Sequence, residues 1–365
     1  MPGRILFTSH TADFAKFNQP LIQMLQGKGY EVHYASADEK KIANVDRNFR
    51  VDFSRSPIML NQHVRAYCQI KKIINEGNYD LVHTHTPVGS VLTRLAARQA
   101  RKRGLRVLYT AHGFHFYTGA SPLSWVLWFT IEKSCARLTD GLVTINREDF
   151  ERAKKHFKTK PFLIPGVGVD PSKFRVKMNA TEKRNLRSEL KLKPDDFVMI
   201  NAAELNSNKN QRFIIEVLPE ILKKRPNAHV LFAGDDCLSG SLQKFADQCG
   251  VAQNVHFLGY RGDLPQLFAI SNLAVSASKR EGLGINLLEA IAAGLPVLAS
   301  NNRGHREILA QSQLFQNNNP VDFMKKFNLV LSKPTLTFPD KFSAVNSLLA
   351  MDKIYRDILG PQYEK

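Results

Sequence analysis

The chain has 365 residues, 43% of them apolar, and 51 Lys and Arg against 33 Asp and Glu give a net charge of +18. That length and apolar content suit two or three cored domains and leave out a disordered or fibrous chain. No apolar run reaches the roughly 20 residues needed to span a bilayer.

The positive excess points to an anionic partner (nucleic acid, anionic lipid head groups or phosphorylated substrates) or to a merely solvated surface, and charge alone does not choose. The opening MPGRILFTSH carries no secretory apolar core, so a cytoplasmic location is expected. Cys68, Cys135, Cys237 and Cys249 form no CxxC and no Cys/His spacing, which reads as reduced structural thiols and no metal.

In chain order, residues 4–8 read as a buried strand, a polar turn (Ser9, His10, Thr11) follows, and a helix is expected from about Asp13 to Gln26. Gly27 and Gly29 close it before a strand from Tyr30 to Ala35. This is the strand–loop–helix–strand opening of a doubly wound fold, whose loops at the carboxyl edge bind ligands. There is no GxGxxG. His10 is either a site residue or a turn polar group. A short strand is expected at Val51–Phe53, a helix from about Asn61 to Asn75, and a strand from Asp80 to His85. His83 and His85, two apart, point to one side of that strand; metal binding is one reading and a polar strand end at a crevice is the other.

A helix over Val88–Lys102 and a strand over Arg106–Ala111 lead to Thr110-Ala111-His112-Gly113-Phe114-His115-Phe116-Tyr117, which places His112 at the sheet's carboxyl edge. Leu123 to Arg137 is an aromatic helix with Trp125 and Trp128, with Lys133 and Arg137 on its later turns. It reads as core, or as a segment at a membrane interface. A strand (Gly141–Asn146), a helix (Arg147–Phe157) and a strand (Phe162–Pro165) complete the first half. The Gly/Pro-rich run Gly166–Pro171 marks the boundary.

The second half restarts the pattern. A strand over Phe197–Ala202 opens into Glu204-Leu205-Asn206-Ser207-Asn208-Lys209-Asn210, so Lys209 stands by a helix N-terminus, suited to a phosphate. Strands are expected at His229–Ala233, Val255–Leu258 and Leu273–Ser276, with a helix from about Leu264 to Ile270. The stretch Lys279–Leu309 then offers Glu281 and Glu289, eight residues apart, around Gly282, Gly284 and Asn286. Free N–H groups at a helix entrance flanked by two acceptors for hydroxyls fit a nucleotide-sugar better than free phosphate. The tail from about Phe342 to Leu359 reads as a helix.

Glu281-Gly-Leu-Gly-Ile-Asn-Leu-Leu-Glu289, followed by Gly294 and Pro296-Val297, resembles the E-x7-E element of glycosyltransferase family 4, with the Lys209 loop and Ala111-His112-Gly113 in the matching order. The latter, with Ile164-Pro165-Gly166-Val167-Gly168-Val169-Asp170, resembles the branch acting in bacterial exopolysaccharide and capsule assembly.

The resemblance implies the α/β architecture called GT-B. Two facing Rossmann-like, doubly wound parallel-sheet domains are expected, an acceptor-side domain over 1–168 and a nucleotide-sugar domain over 169–344. A C-terminal helix over 345–365 would return to the first. It implies metal-independent, retaining transfer without a cofactor, from a nucleoside diphosphate sugar. A UDP-linked N-acetylhexosamine is favoured as donor, and the acceptor would be a polyprenyl-diphosphate-linked saccharide at an anionic inner membrane face. No nucleic acid is involved in this reading.

By the same resemblance Glu289 accepts from the ribose and Glu281 contacts the donor sugar. N–H groups of Gly284, Ile285, Asn286 and Leu287 hold phosphate or sugar oxygens, Lys209 pairs the diphosphate and His112 faces the sugar. Tyr260 and Arg261 form the base-binding edge, and His10 joins the donor-binding candidates. The family's second clamp is an Arg five residues before the lysine; here that position is Glu204, and Arg261 or Arg280 are the candidates to replace it. A nucleotide-sugar 2-epimerase of the same architecture is the alternative enzyme. A nucleic-acid-binding protein is the alternative of another class, supported by charge alone.

Overall fold

The computed structural model describes residues 3–54, 56, 58–332 and 336–364. The chain divides into two units, Met1–Gly168 with Ala344–Lys365, and Val169–Ser343.

Unit 1 is built on a seven-stranded parallel sheet of β1 (Arg4–Thr8), β2 (Glu31–Ser36), β3 (Arg47–Arg50), β4 (Leu81–His85), β5 (Arg106–Ala111), β6 (Gly141–Thr144) and β7 (Lys160–Leu163). Their order is β3-β2-β1-β4-β5-β6-β7. Unit 2 carries β8 (Phe197–Ala202), β9 (Ala228–Ala233), β10 (Val255–Gly259), β11 (Leu273–Ser276), β12 (Val297–Ser300) and β13 (Leu314–Phe315), in the order β10-β9-β8-β11-β12-β13. Central strands such as Ile5-Leu6-Phe7 and Val198-Met199-Ile200 are apolar on both faces because helices cover both faces. Each sheet reverses its winding once, between β1 and β4 and between β8 and β11, and that reversal opens a crevice beyond the carboxyl ends.

Most expected elements form, with instructive departures. The helix expected over 13–26 is two, a 3-10 turn over Ala12–Phe17 and an α-helix over Gln19–Gly27. Pro20 falls in the first turn of the second, where its missing N–H costs nothing, whereas inside one continuous helix it would remove a hydrogen bond and clash with the carbonyl four residues back. The third strand is Arg47–Arg50, before the expected Val51–Phe53. Its charged, largely exposed residues mark an edge strand, whereas buried Val51 and Phe53 lie in the corner beyond it. A helix over Ala180–Glu189 went unread although its signature is present: Asn179 and Glu182 form a reciprocal capping box.

The C-terminal helix Ala344–Leu359 packs on the first sheet. Gly141 makes room for it: a Cβ there would stand 2.8–3.0 Å from Leu108, Ile358 and Phe162. The helix Pro87–Ala96 is fixed by a buried ion pair, Arg94 Nη1 to Glu132 Oε2 at 2.9 Å, with the guanidinium over the Tyr109 ring.

Candidate functional site

In unit 2, the loops after β8 and β11 meet at the crevice. The first is tied by Asn206, whose Oδ1 accepts from the N–H groups of Asn208 and Lys209. Asn208 Nδ2 then donates to the Arg280 carbonyl in the second loop. This holds Lys209 Nζ 2.6 Å from Glu281 Oε1, an ion pair that is mostly buried. The loop after β9 is equally tight against the one after β8: a Cβ on Gly234 would lie 2.1 Å from the Ala203 carbonyl oxygen, so only glycine fits.

Glu289 lies in the second turn of the helix Ile285–Ala292, half-buried. Of the four positions expected to offer N–H groups, two are spent internally: Ile285 donates to Leu283 and Leu287 to Gly284. Gly284 and Asn286 keep theirs outside these bonds. Gly284 has a packing reason as well, since a Cβ there would stand 2.9 Å from the His305 ring.

His305 and Arg303 were missed by sequence reasoning. Both are buried on the short helix Arg303–Arg306, capped by Asn302. His305 Nδ1 is 2.8 Å from the Ser300 carbonyl, which can only accept, so Nδ1 carries the proton and Nε2 is a bare acceptor. That Nε2 is buried with no partner among the described residues. Burial lowers its pKa, partly offset by the Glu281 carboxylate. Arg303 Nε donates to the Glu281 carbonyl at 3.2 Å, and a Cβ on Gly304 would stand 2.8 Å from Glu281 Cβ. The Arg-Gly-His run just past a buried strand was the available signal.

The other expected residues lie at the edges. Arg261 is forked onto Asp263 at 2.7 and 2.8 Å, which raises its own pKa and lowers that of Asp263. Tyr260 is 74% exposed beside Gly259, whose φ of +65° turns the chain. Glu204 is exposed and accepts from Asn206 Nδ2.

In unit 1, the ends of two neighbouring strands, β4 and β5, bring three imidazoles together. His83 bonds at Nδ1 to the Tyr355 hydroxyl (2.7 Å) and at Nε2 to Thr110 Oγ1 (2.8 Å). Both its nitrogens are thus engaged, which fits the polar strand end rather than the metal pair for His83. His85 Nδ1 is 3.2 Å from His112 Nε2. Phe14 packs edge-on against His112 and Phe7 stacks on His85. Burial pushes His112 down to about 4 and His83 to about 3, and His85 lies well below the usual imidazole range. The cluster is therefore neutral near pH 7 and held together by hydrogen bonds. His10 lines a neighbouring cavity in the same unit.

The aromatic segment after Ser121 is oriented opposite to a membrane-inserted tryptophan belt. Trp125 donates to the Tyr117 carbonyl and packs on Phe116, and Trp128 stacks on His115. The exposed side chains are aliphatic, Leu123, Val126 and Leu127. No described helix is long and apolar enough to cross a membrane.

Residues 16–173 match the family described as Glycosyltransferase Family 4, and residues 182–344 that described as Glycosyl transferases group 1. EpsD of Bacillus subtilis (strain 168), a glycosyltransferase by name, is 39% identical over 343 residues, which cover 92% of this chain and 89% of EpsD. An Escherichia coli protein named UDP-Gal:alpha-D-GlcNAc-diphosphoundecaprenol alpha-1,3-galactosyltransferase is 29% identical over 255 residues, 68% of this chain and 64% of that protein.

Among solved structures, Anabaena HepE in complex with UDP and glucose has a TM-score of 0.75 at 18% identity, covering 97% of this chain and 100% of that one. WaaG, a glycosyltransferase involved in lipopolysaccharide biosynthesis, has a TM-score of 0.70 at 18% identity, covering 98% and 96%. These structural likenesses carry the fold, two Rossmann-like domains of GT-B type.

Proposed function

The chain belongs to glycosyltransferase family 4, and from that premise we propose that this hexosyltransferase moves a sugar from a UDP-sugar, of N-acetylhexosamine type, to a saccharide carried on a polyprenyl diphosphate, with retention of configuration. The observation that carries this reading is the Lys209–Glu281 pair at the winding reversal of unit 2, with Glu281 on the loop that leads into the helix carrying Glu289.

Expelling a nucleoside diphosphate while positive charge develops at the anomeric carbon calls for fixed cations at the leaving group. In the free protein Glu281 neutralises Lys209, which keeps two largely desolvated charges matched. With donor bound, Lys209 would turn its remaining N–H groups to the diphosphate, and Glu281 would accept from a sugar hydroxyl through its second oxygen. Glu289 would accept from the ribose, and the exposed Tyr260 ring suits stacking on the base.

Glu204 cannot clamp phosphate, and Arg261 is already engaged by Asp263. Arg280 and Arg303 are our candidates for the missing cation, since their backbone or side chain meets the Lys209–Glu281 loops directly. In a same-face transfer the departing phosphate oxygen takes the acceptor's proton, so no residue is assigned as base. His112, neutral near pH 7, would hydrogen-bond a sugar hydroxyl rather than exchange its proton.

The acceptor class is supported by the name of the Escherichia coli relative, which acts on a diphosphoundecaprenol-linked sugar. It is also supported by exposed aliphatic side chains at Ile58, Leu60 and Val64 and at Leu123, Val126 and Leu127, on a strongly basic chain. We assign these to peripheral contact with an anionic inner membrane face, in exopolysaccharide synthesis. Thermal unfolding against a panel of sugar nucleotides tests the donor: a saturating ligand at about 100 times its Kd adds roughly 2.7 kcal/mol. UDP and UDP-N-acetylhexosamines are expected to raise Tm more than GDP- or ADP-sugars; a panel with no shift rejects the reading.

A further inference from the structure

A cavity of about 320 Å³ lies within unit 1, and the transfer chemistry proposed above assigns it no role. It opens at the carboxyl ends of β1 and β4, the winding reversal of the first sheet, where a doubly wound fold binds small molecules. Its volume falls in the range of ligand pockets, roughly 300–1,000 Å³. The chemistry of its wall is specific. His115 and Trp128 stack with ring centroids 4.8 Å apart and an interplanar angle of 27°, and both line the cavity. His10, Thr11 and Thr86 supply polar atoms, and none of the lining side chains described is Lys, Arg, Asp or Glu.

Thr86 is the unusual member. It has a φ of +65°, a conformation costly for a β-branched residue, and its Oγ1 is buried with no partner among the described residues. A Cβ on Gly89 would press to 3.2 Å from that oxygen, so the glycine leaves it room.

We propose that this cavity is a saccharide subsite that takes one neutral pyranose ring. The apolar face of the sugar stacks on the Trp128–His115 pair, and a hydroxyl bonds Thr86 Oγ1. A pyranose presents polarised C–H bonds on one face and hydroxyls around its rim, which matches an aromatic platform ringed by neutral donors and acceptors. The lack of charge on the wall selects against phosphate and uronate. A nucleotide needs cations for its phosphates, and the described cavity has none. Resting on the transfer reaction proposed above, the ring held here is the terminal sugar of the acceptor. The strain at Thr86 then has a use, since it aims a hydroxyl that a relaxed backbone would turn away.

The chain has two tryptophans, Trp125 and Trp128, so protein labelled with 5-fluorotryptophan gives two fluorine resonances, assigned through W125F or, if that variant does not fold, W128F. The probes are methyl glycosides of glucose, galactose, N-acetylglucosamine and N-acetylgalactosamine at millimolar concentrations, with sodium glucuronate as the charged counterpart and UDP as the donor-side control. At least one neutral glycoside is expected to shift Trp128 saturably, to leave Trp125 in place, and to do so equally with UDP bound. T86G is expected to keep or gain thermal stability while losing about tenfold in glycoside affinity.

No Trp128 shift with any glycoside overturns the proposal. So does a shift produced only by UDP or glucuronate, or a T86G variant that binds as well as the parent. If UDP still raises Tm in those cases, the subsite has failed and the transferase reading has not. If UDP raises no Tm while a glycoside shifts Trp128, the reverse holds.

Discussion

The two crevices sit at the same topological position of two similar sheets and are built from opposite chemistry. In unit 2 the wall is ionic and glycine-tight, with Lys209, Glu281 and Arg303 held by loops in which Gly234, Gly284 and Gly304 cannot bear a side chain. In unit 1 it is aromatic and uncharged, with His83, His85 and His112 kept neutral by burial. The difference teaches how one fold divides a group transfer. On the function proposed above, the side assigned to a departing diphosphate carries fixed charge, and the side assigned to the acceptor hydroxyl carries shape and neutral hydrogen bonds.

The sharpest way to break that contrast is Lys209→Ala. If unit 2 supplies the charge, kcat/KM of the folded variant falls about 10²–10³-fold, roughly 2.7–4 kcal/mol of transition-state stabilisation, and Tm falls as well because Glu281 loses its partner. Glu281→Ala should also lose most turnover; near-parental transfer by a folded Glu281→Ala protein would remove its role.

Next is the pH dependence of unit 1. The folded pKa values of His83 and His112, about 3 and about 4, lie below the ordinary 6.5. The unfolded chain therefore binds more protons below pH 6.5, so the stability these groups contribute is complete above 6.5 and is lost as pH falls toward their folded values. Each accounts for about 3 kcal/mol by pH 4. His112→Asn should flatten that slope in urea titrations at pH 7, 5.5 and 4.5, and an unchanged slope would mean that His112 is not held neutral by the fold.

A smaller effect is expected at Glu289, where alanine should weaken UDP binding about tenfold, about 1.4 kcal/mol by calorimetry. The smallest is at Glu204. Its exposed carboxylate contacts Asn206, so Glu204→Ala should change Tm and UDP affinity by less than about 0.5 kcal/mol. A large loss there would mean that the position still shapes the diphosphate site.

Legibility followed the same divide. The residues proposed for unit 2 could be picked out of the sequence because most of them are local. Glu281, Gly284 and Glu289 share one loop and helix, and Lys209 announces itself at a helix entrance. What escaped was contact across elements: that Gly284 yields to His305, that Arg303 reaches the Glu281 carbonyl, and that Arg261 is consumed by Asp263. In unit 1 the strands were legible from their apolar runs, but the cavity was not. His10, Thr86, His115 and Trp128 come from four places in the chain and acquire meaning only when sheet order sets β1 beside β4. Trp128 shows the cost of reading composition without direction, since its ring turns inward onto His115 and leaves Val126 and Leu127 outside. The third strand was misplaced for a related reason, because burial at Val51 and Phe53 marks a corner rather than an edge strand.

The central claim is that unit 2 holds a nucleotide-sugar for transfer to a separate saccharide. It is tested most directly by incubating the protein with UDP-N-acetylhexosamines, with and without a polyprenyl-diphosphate-linked sugar, and following both UDP release and the lipid product. The account predicts UDP release that depends on the acceptor, with the lipid-linked saccharide lengthened by one residue in unchanged anomeric configuration. Conversion of the sugar nucleotide in the absence of acceptor, with no lengthened lipid product, would contradict it and favour an epimerase.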